Sequence, residues 1–372
     1  MKLVPQSSPY IRKNVSVARM MTDVIIALMP VTIFAMIQNG WNGIYVFLIS
    51  IATMVFFELL IHMFIHWPKG MKVKELFFKE GFIKVKSAYT INNILAPIIS
   101  ALIFALIMPA GCNGYVIFTG AAFGIIIGKM VFGGLGSNIF NPAATGRIFS
   151  SICFGSQIGA ANLISGGAVV ADATPLAGIK ANNVLNLANN PYSFLDLFLG
   201  NVPGAMGEVS VLLILVGAVY LFVRRSADLR SFLSYLCSFA VVMLIASISF
   251  LKVDSTINVF SVWMYQILAG GMLFAAVFMV TDPVTSPTSK FGRILFGTIA
   301  GTVTALIRIV GAYPEGAAFS ILIANMLVPT IDHFMRGKPN TYTWKQCLIT
   351  AIYMLAICGI VTAYIMTTGG SL

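Results

Sequence analysis

This sequence predicts an all-α polytopic membrane protein of about ten transmembrane helices, and three observations predict it. Hydrophobic residues fill 58% of its 372 positions and charged residues only 9%, outside the range of a soluble domain. Most apolar runs, such as Val24 to Ile37 and Val211 to Val223, approach the length that a helix needs to cross a hydrocarbon core of about 30 Å, some with their flanking residues, and they lack barrel-strand alternation. The charge is one-sided. Of 23 Lys and Arg, all but Lys180, Lys252 and Arg308 fall on the face of the N-terminal tail, which the positive-inside rule makes cytoplasmic. The net charge of +11 is thus an orientation signal and a contact with lipid, with no nucleic-acid partner expected. No small-residue cleavage site follows Met20 to Gln38, so the first span is expected to be retained.

That span, about Met20 to Gln38, carries Asp23 near its inner end; Asn39 to Asn42 make a tight outer turn, and a second span, Gly43 to His66, contains Glu58. An ionisable group inside a span is costly. Glu58 is therefore either an ion-path carboxyl, or one that is hydrogen-bonded between helices or held protonated. A basic loop runs from Pro68 to Lys86, and Thr90-Ile91-Asn92-Asn93-Ile94-Leu95-Ala96-Pro97 opens an apolar segment that ends near Pro109. Tyr115 to Phe132 return to the inner face and meet Gly133-Gly134-Leu135-Gly136-Ser137-Asn138-Ile139-Phe140-Asn141-Pro142, punctuation that cannot continue a helix. This is either a broken helix beside a site or a cytoplasmic turn with a capped helix after it.

Ile148 to Ile164 form a fifth segment, and a long Asn-rich outer loop follows from Ser165 to about Ser193, holding Asp172, Ala173 and Thr174. Loops of this length are functional or disordered. Spans are then expected at Val209 to Val223, Phe232 to Phe250 and Val259 to Val280. A second polar intrusion, Thr281-Asp282-Pro283-Val284-Thr285-Ser286-Pro287, leads to a span ending near Val310, then Tyr313-Pro314-Glu315-Gly316, and a last apolar run from Cys347 to Met366. In each half a Thr-to-Pro element (Thr90 to Pro97, Thr281 to Pro287) precedes a Gly, Asn and Pro element (Gly133 to Pro142, Gly311 to Pro329). This predicts two inverted repeats with broken or re-entrant segments, residues 1–164 and 194–372, flanking the loop 165–193 within one membrane domain.

Arg308, near the outer end of its span, either snorkels to the interface or holds an anionic group such as a phosphate or a reduced flavin. Asp282 and Glu315 lie near membrane boundaries and join Glu58 as ion-path candidates. His62 and His66 share a helix face but have no third ligand, so they read as interfacial residues. Five scattered cysteines without a CxxC pair exclude a zinc or iron–sulfur reading. No Walker loop, GxSxG elbow or dinucleotide fingerprint occurs. Neither a catalytic side chain nor a metal site is expected.

With these residues in place, the chain resembles the NqrB/RnfD family of membrane flavoprotein subunits over nearly its whole length. Thr281 to Pro287 and Tyr313-Pro314-Glu315-Gly316 carry the resemblance, supported by Gly133 to Pro142. Ser7-Ser8-Pro9-Tyr10-Ile11-Arg12, Met21-Thr22-Asp23-Val24 and Ala27-Leu28-Met29-Pro30 look more like the RnfD branch than the NqrB branch. The resemblance implies a urea-transporter-like fold, and FMN joined through its phosphate to a threonine hydroxyl in a motif usually ending Ser/Thr-Gly-Ala-Thr. Thr174 matches the final Thr and Ala173 the Ala, whereas Ala171 replaces Ser or Thr, Asp172 replaces Gly, and Ala168 stands where an upstream Asp is expected. Thr174 is a tether, its hydroxyl offered in an extracytoplasmic loop to a flavin transferase; a nucleophile would need a base beside it. A second, noncovalent flavin, riboflavin or FMN, is implied near the broken helices.

The expected function is an Rnf-type subunit in a bacterial or archaeal cytoplasmic (inner) membrane. It would act only within its complex, passing electrons between ferredoxin- and NAD-reactive subunits and coupling them to Na⁺ or H⁺ translocation. The alternatives are an NqrB-like subunit of a Na⁺-translocating NADH–quinone reductase, or a small-solute channel or permease without a redox role, since one fold serves all three.

Overall fold

The computed structural model describes residues 16–65, 90–161, 164–165, 168–169, 176, 192–208, 210–252, 258–311, 316–335 and 343–368. Helix α1 (Val17–Ile65) has 49 residues, about 73 Å if straight and far more than one crossing needs. Gly40 interrupts it at φ 54°, ψ −134°, a left-handed backbone that a side chain would oppose. Val17 and Val24 line the same cavity as Lys129, whose ammonium bonds Glu58 near the other end of α1. The two halves therefore run antiparallel, with the turn where Asn39 to Asn42 predicted it.

Next come α2 (Ile91–Leu106), α3 (Gly114–Gly128), α4 (Pro142–Cys153) and α5 (Gly155–Ala161). Small residues let α3 and α4 touch backbone to backbone: a Cβ on Gly146 would meet the Gly120 carbonyl at 2.6 Å. The segment expected from Ile148 to Ile164 is not one helix, because Phe154 leaves helical geometry (φ −128°, ψ 31°) between α4 and α5. A two-residue ladder then pairs β1 (Ile164–Ser165) with β2 (Ala168–Val169). Short α6 (Phe194–Leu199) starts with a capping box. The Ser193 hydroxyl and backbone N–H both donate to Asp196, which holds that exposed carboxyl below the ordinary range.

The rest is α7 (Val211–Arg224), α8 (Leu229–Leu251), α9 (Val259–Leu268), α10 (Met272–Phe278), α11 (Lys290–Val310), α12 (Ala317–Phe334) and α13 (Trp344–Thr368). Among the described residues six helices are long and apolar enough to cross a membrane, and α9 with α10, bent by 47°, makes a seventh if the pair is one span. Helices α2 and α7 are shorter but apolar. The chain is a helical, multi-pass membrane protein. Ile37, Val223 and Leu355 stand exposed on its outer faces, where lipid covers them, while Leu28, Phe104, Phe239 and Phe274 fill the core.

Candidate functional site

Three polar interruptions of the chain meet at one cavity. In the first half, Gly133, Gly134 and Gly136 take φ values of 108°, 87° and 87°, which end the helix and leave room for Asn138 and Asn141. Asn141 then restarts it. Its side chain accepts from the Ala143 and Ala144 N–H groups at 3.0 and 3.3 Å, with Pro142 at the first helical position. In the second half, Thr281 bonds back to the Val277 carbonyl, and Asp282 accepts from the Val284 N–H at 3.1 Å and the Thr285 hydroxyl at 3.0 Å. The start of α2, with Asn92 and Ala96, supplies the third wall.

The cavity measures about 520 Å³, within the roughly 300–1,000 Å³ of small-molecule sites. Ile99, Ile103, Leu135 and Phe278 give it apolar walls, and Asn92, Asn138, Lys129 and Asp282 give it polar edges. Asn325 of α12, fully buried, ties the two interruptions together. With its amide oriented to satisfy both neighbours, it donates to the Thr285 carbonyl and accepts from the Asn141 N–H, each at 3.1 Å.

Glu58 is ion-paired. The Lys129 ammonium donates to its Oε2 at 2.6 Å, and both side chains are 3% exposed. The charge pattern counts Lys129 among the inner-face cations, flanking a cytoplasmic turn, and does not foresee this contact. The available signal was a lysine following an uninterrupted apolar run in a chain whose second span held an unmatched Glu. Asp23 is buried as well, accepting from Tyr220, Arg224 and Ser226.

Arg308 lies near the end of α11 opposite the one that follows Asp282, about 27 Å along the helix from Lys290. It neither snorkels nor faces water, being 2% exposed. Its Nη1 donates to the Gln266 carbonyl at 2.6 Å, its Nη2 to the Ala269 carbonyl at 3.1 Å, and the guanidinium lies 5.0 Å from the Phe239 ring centroid. These are the carbonyls freed where α9 breaks before α10, so the arginine satisfies non-helical backbone at membrane depth. Leu176 is packed nearby with Leu197, Val202, Tyr265 and Ala269. Asp172, Ala173, Thr174 and Glu315 lie outside the described residues. Among the described residues no group of three His, Cys, Asp or Glu could hold a metal ion.

Comparison with known proteins adds the family. A profile described as the NQR2, RnfD, RnfE family matches residues 4–341. The chain is 36% identical over 260 residues to the NqrB protein of the Na⁺-translocating NADH–quinone reductase of Chromohalobacter salexigens, covering 69% of this chain and 62% of that one. The same-named protein of Ectopseudomonas mendocina is 28% identical over 355 residues, 89% and 87% of the two chains. That of Klebsiella pneumoniae is 34% identical over 244 residues, 64% and 58%. The match therefore spans less than two thirds of the Chromohalobacter and Klebsiella proteins. These relatives overturn the Rnf-type expectation in favour of the NqrB-like alternative. The expectation leaned on short N-terminal motifs, which weigh little against similarity carried through 355 aligned residues.

Proposed function

The chain belongs to the NQR2, RnfD, RnfE family, and from that premise we propose that it is an NqrB-type subunit of a Na⁺-translocating NADH–quinone reductase. In this reading it is a flavin-bearing relay in a prokaryotic cytoplasmic membrane, acting within a complex of other membrane subunits. In this reading the chain makes ten crossings: two from α1, one each from α2, α3, α7, α8, α11, α12 and α13, and one from α9 with α10. Two inverted, urea-transporter-like repeats account for interruptions of both halves converging on one cavity.

That cavity is the observation that carries the reading. Its size and its apolar walls suit the two faces of a planar heteroaromatic ring, and its edge residues suit a ring rimmed with N–H and C=O groups. A flavin bound there supplies electron transfer in steps of one or two. Asn92 and Asn138 would orient the ring edge, and Asn325 would hold the two halves of the wall in register. Lys129 would bring a positive charge to the site, and Glu58 and Asp282 would set the local charge along the ion path, with Glu315 a further candidate.

A covalent FMN on Thr174 is the second part of the proposal, placed there by a flavin transferase. Support comes from Leu176, two residues on, which is itself anchored among Leu197, Tyr265 and Ala269, at the end of the bundle away from the cavity. Arg308 has both terminal nitrogens on carbonyls, so its role in this reading is to brace the α9–α10 break beside that anchor.

The test is a denaturing gel viewed under ultraviolet light, run on the chain co-produced with its transferase. A fluorescent band is expected in the wild type and none in Thr174→Ala. Flavin released into the supernatant on denaturation reports the noncovalent site. A band that survives Thr174→Ala removes the tether assignment, and a wild type that releases no flavin removes the cavity assignment.

A further inference from the structure

The cavity opens where its wall is exposed, at Val17 of α1, at Gly136 and at Pro283. Gly136 stands clear of its surroundings, since a Cβ there would meet nothing within 4 Å. The other two sides of the mouth are tied together. Six residues along α1 from Val17, the buried carboxylate of Asp23 accepts from the Ser226 hydroxyl at 2.6 Å, from Arg224 Nε and Nη2 at 3.2 and 3.1 Å, and from the Tyr220 hydroxyl at 3.3 Å. Ser226 and Ala227, in the loop between α7 and α8, form part of the cavity wall. Next along, Asp228 accepts from Nη1 of Arg293, whose Nε donates to the Pro287 carbonyl at 2.9 Å, four residues after Pro283. Residues 224–228 are therefore a belt, fastened to α1 at one end and to α11 and the Thr281 to Pro287 segment at the other. The belt turns at Arg225, whose φ of 58° is a left-handed backbone that opposes a side chain. Its fastenings hold it, and two of them are partly open to solvent: the Arg224 and Arg293 side chains are 38% and 27% exposed.

We propose that this belt is a latch on the mouth of the cavity, admitting the noncovalent flavin when the Asp23 and Asp228 fastenings part and shutting it in when they close. The proposal rests on the flavin reading of the cavity. Asp23, Asp228 and Arg293 are not among the residues that line the wall, so they act on the mouth and not on the occupant. A latch sets the barrier in both directions, and unfastening it speeds entry and exit alike while the affinity stays where it was. A residue that only helps to grip the occupant behaves differently. Its loss raises the exit rate and weakens the affinity together, with entry unchanged.

The experiment uses the full chain carrying Thr174→Ala in lipid nanodiscs, so that any bound flavin is noncovalent. Entry of riboflavin is followed by quenching of its fluorescence, and exit by release into an excess of a riboflavin-binding protein. Asp23→Asn and Asp228→Asn should each raise both rates by about tenfold, the effect of weakening one charge-assisted hydrogen bond, with Kd changed by less than about threefold. Asp228→Asn keeps a side-chain oxygen for the cap on the Arg230 N–H, so the start of α8 survives the change. Asp228→Glu keeps the charge and should stay within about threefold of the parent in both rates. Raising KCl by about tenfold should speed both rates in the parent, because the two arginines are partly exposed to screening. Unchanged rates in Asp228→Asn overturn the proposal, as does an exit rate that rises without the entry rate. Should Asp23→Asn fail to fold, Asp228→Asn decides alone. A parent protein that takes up no riboflavin overturns the functional reading of the cavity, and the latch falls with it.

Discussion

Removing either partner of the Lys129–Glu58 pair should cost far more than removing both. At 2.6 Å and an effective dielectric constant of about 20, two unit charges attract by about 6 kcal/mol. Desolvation takes back several kcal/mol per ion when the pair is buried, so the pair as a whole contributes little net stability. A single substitution loses the attraction but keeps the survivor's desolvation, and the expected cost is about 3–5 kcal/mol. Lys129→Met and Glu58→Gln should each lose that much, whereas Glu58→Gln/Lys129→Met should lose less than either. The assay is reversible unfolding of the full chain in mixed micelles at rising SDS, followed by tryptophan fluorescence, completed as a double-mutant cycle. Coupling of several kcal/mol is expected. Costs that add to within about 0.5 kcal/mol would refute the reasoning, because they would mean that the two groups do not share their charge.

Asn325→Ala removes two buried hydrogen bonds and leaves the Asn141 N–H and the Thr285 carbonyl without that partner, which should cost about 2–4 kcal/mol and lower the flavin released on denaturation. Unchanged stability in the same unfolding assay would show that the two interruptions do not depend on this link. Arg308→Leu strips the Gln266 and Ala269 carbonyls of their donor and should cost about 2–5 kcal/mol; Arg308→Lys should recover only part, because an ammonium lacks the guanidinium fork. Cys112, in the loop between α2 and α3, is buried, and burial pushes its thiol up to about 11 from 9.0. A neutral maleimide near pH 8 should therefore label Cys347, exposed near the start of α13, and spare Cys112. The raised value also gives the sign of a pH effect. The unfolded thiol ionises first, so the Cys112 contribution is whole below pH 9 and is lost as pH rises to about 11. Melting should fall less over that window in Cys112→Ala.

Much of the architecture was legible because it depends on short-range rules. Lipid forces every backbone polar group to be satisfied within a helix, so apolar runs announced the crossings and Asn39 to Asn42 announced the fold-back at Gly40. The left-handed Gly133, Gly134 and Gly136 were readable as a break for the same reason, since only glycine takes those angles cheaply. The split between α4 and α5 was not legible. Ile148 to Ile164 is apolar enough for one helix, and the departure is accompanied by the packing of Phe154 against Tyr115 and Phe149.

The sequence by itself determined the membrane class, the polar interruptions at Gly133 to Pro142 and Thr281 to Pro287, and the family. Each follows from local composition or from residues that stand side by side along the chain. The tertiary structure alone decided what the charges do. Lys129 counted by position as one more inner-face cation, and Arg308 as an outer one. The fold puts Lys129 against Glu58, 71 residues away, and spends Arg308 on carbonyls 42 and 39 residues away. A charge in low dielectric is governed by its nearest partner in space, and chain order carries no record of that distance.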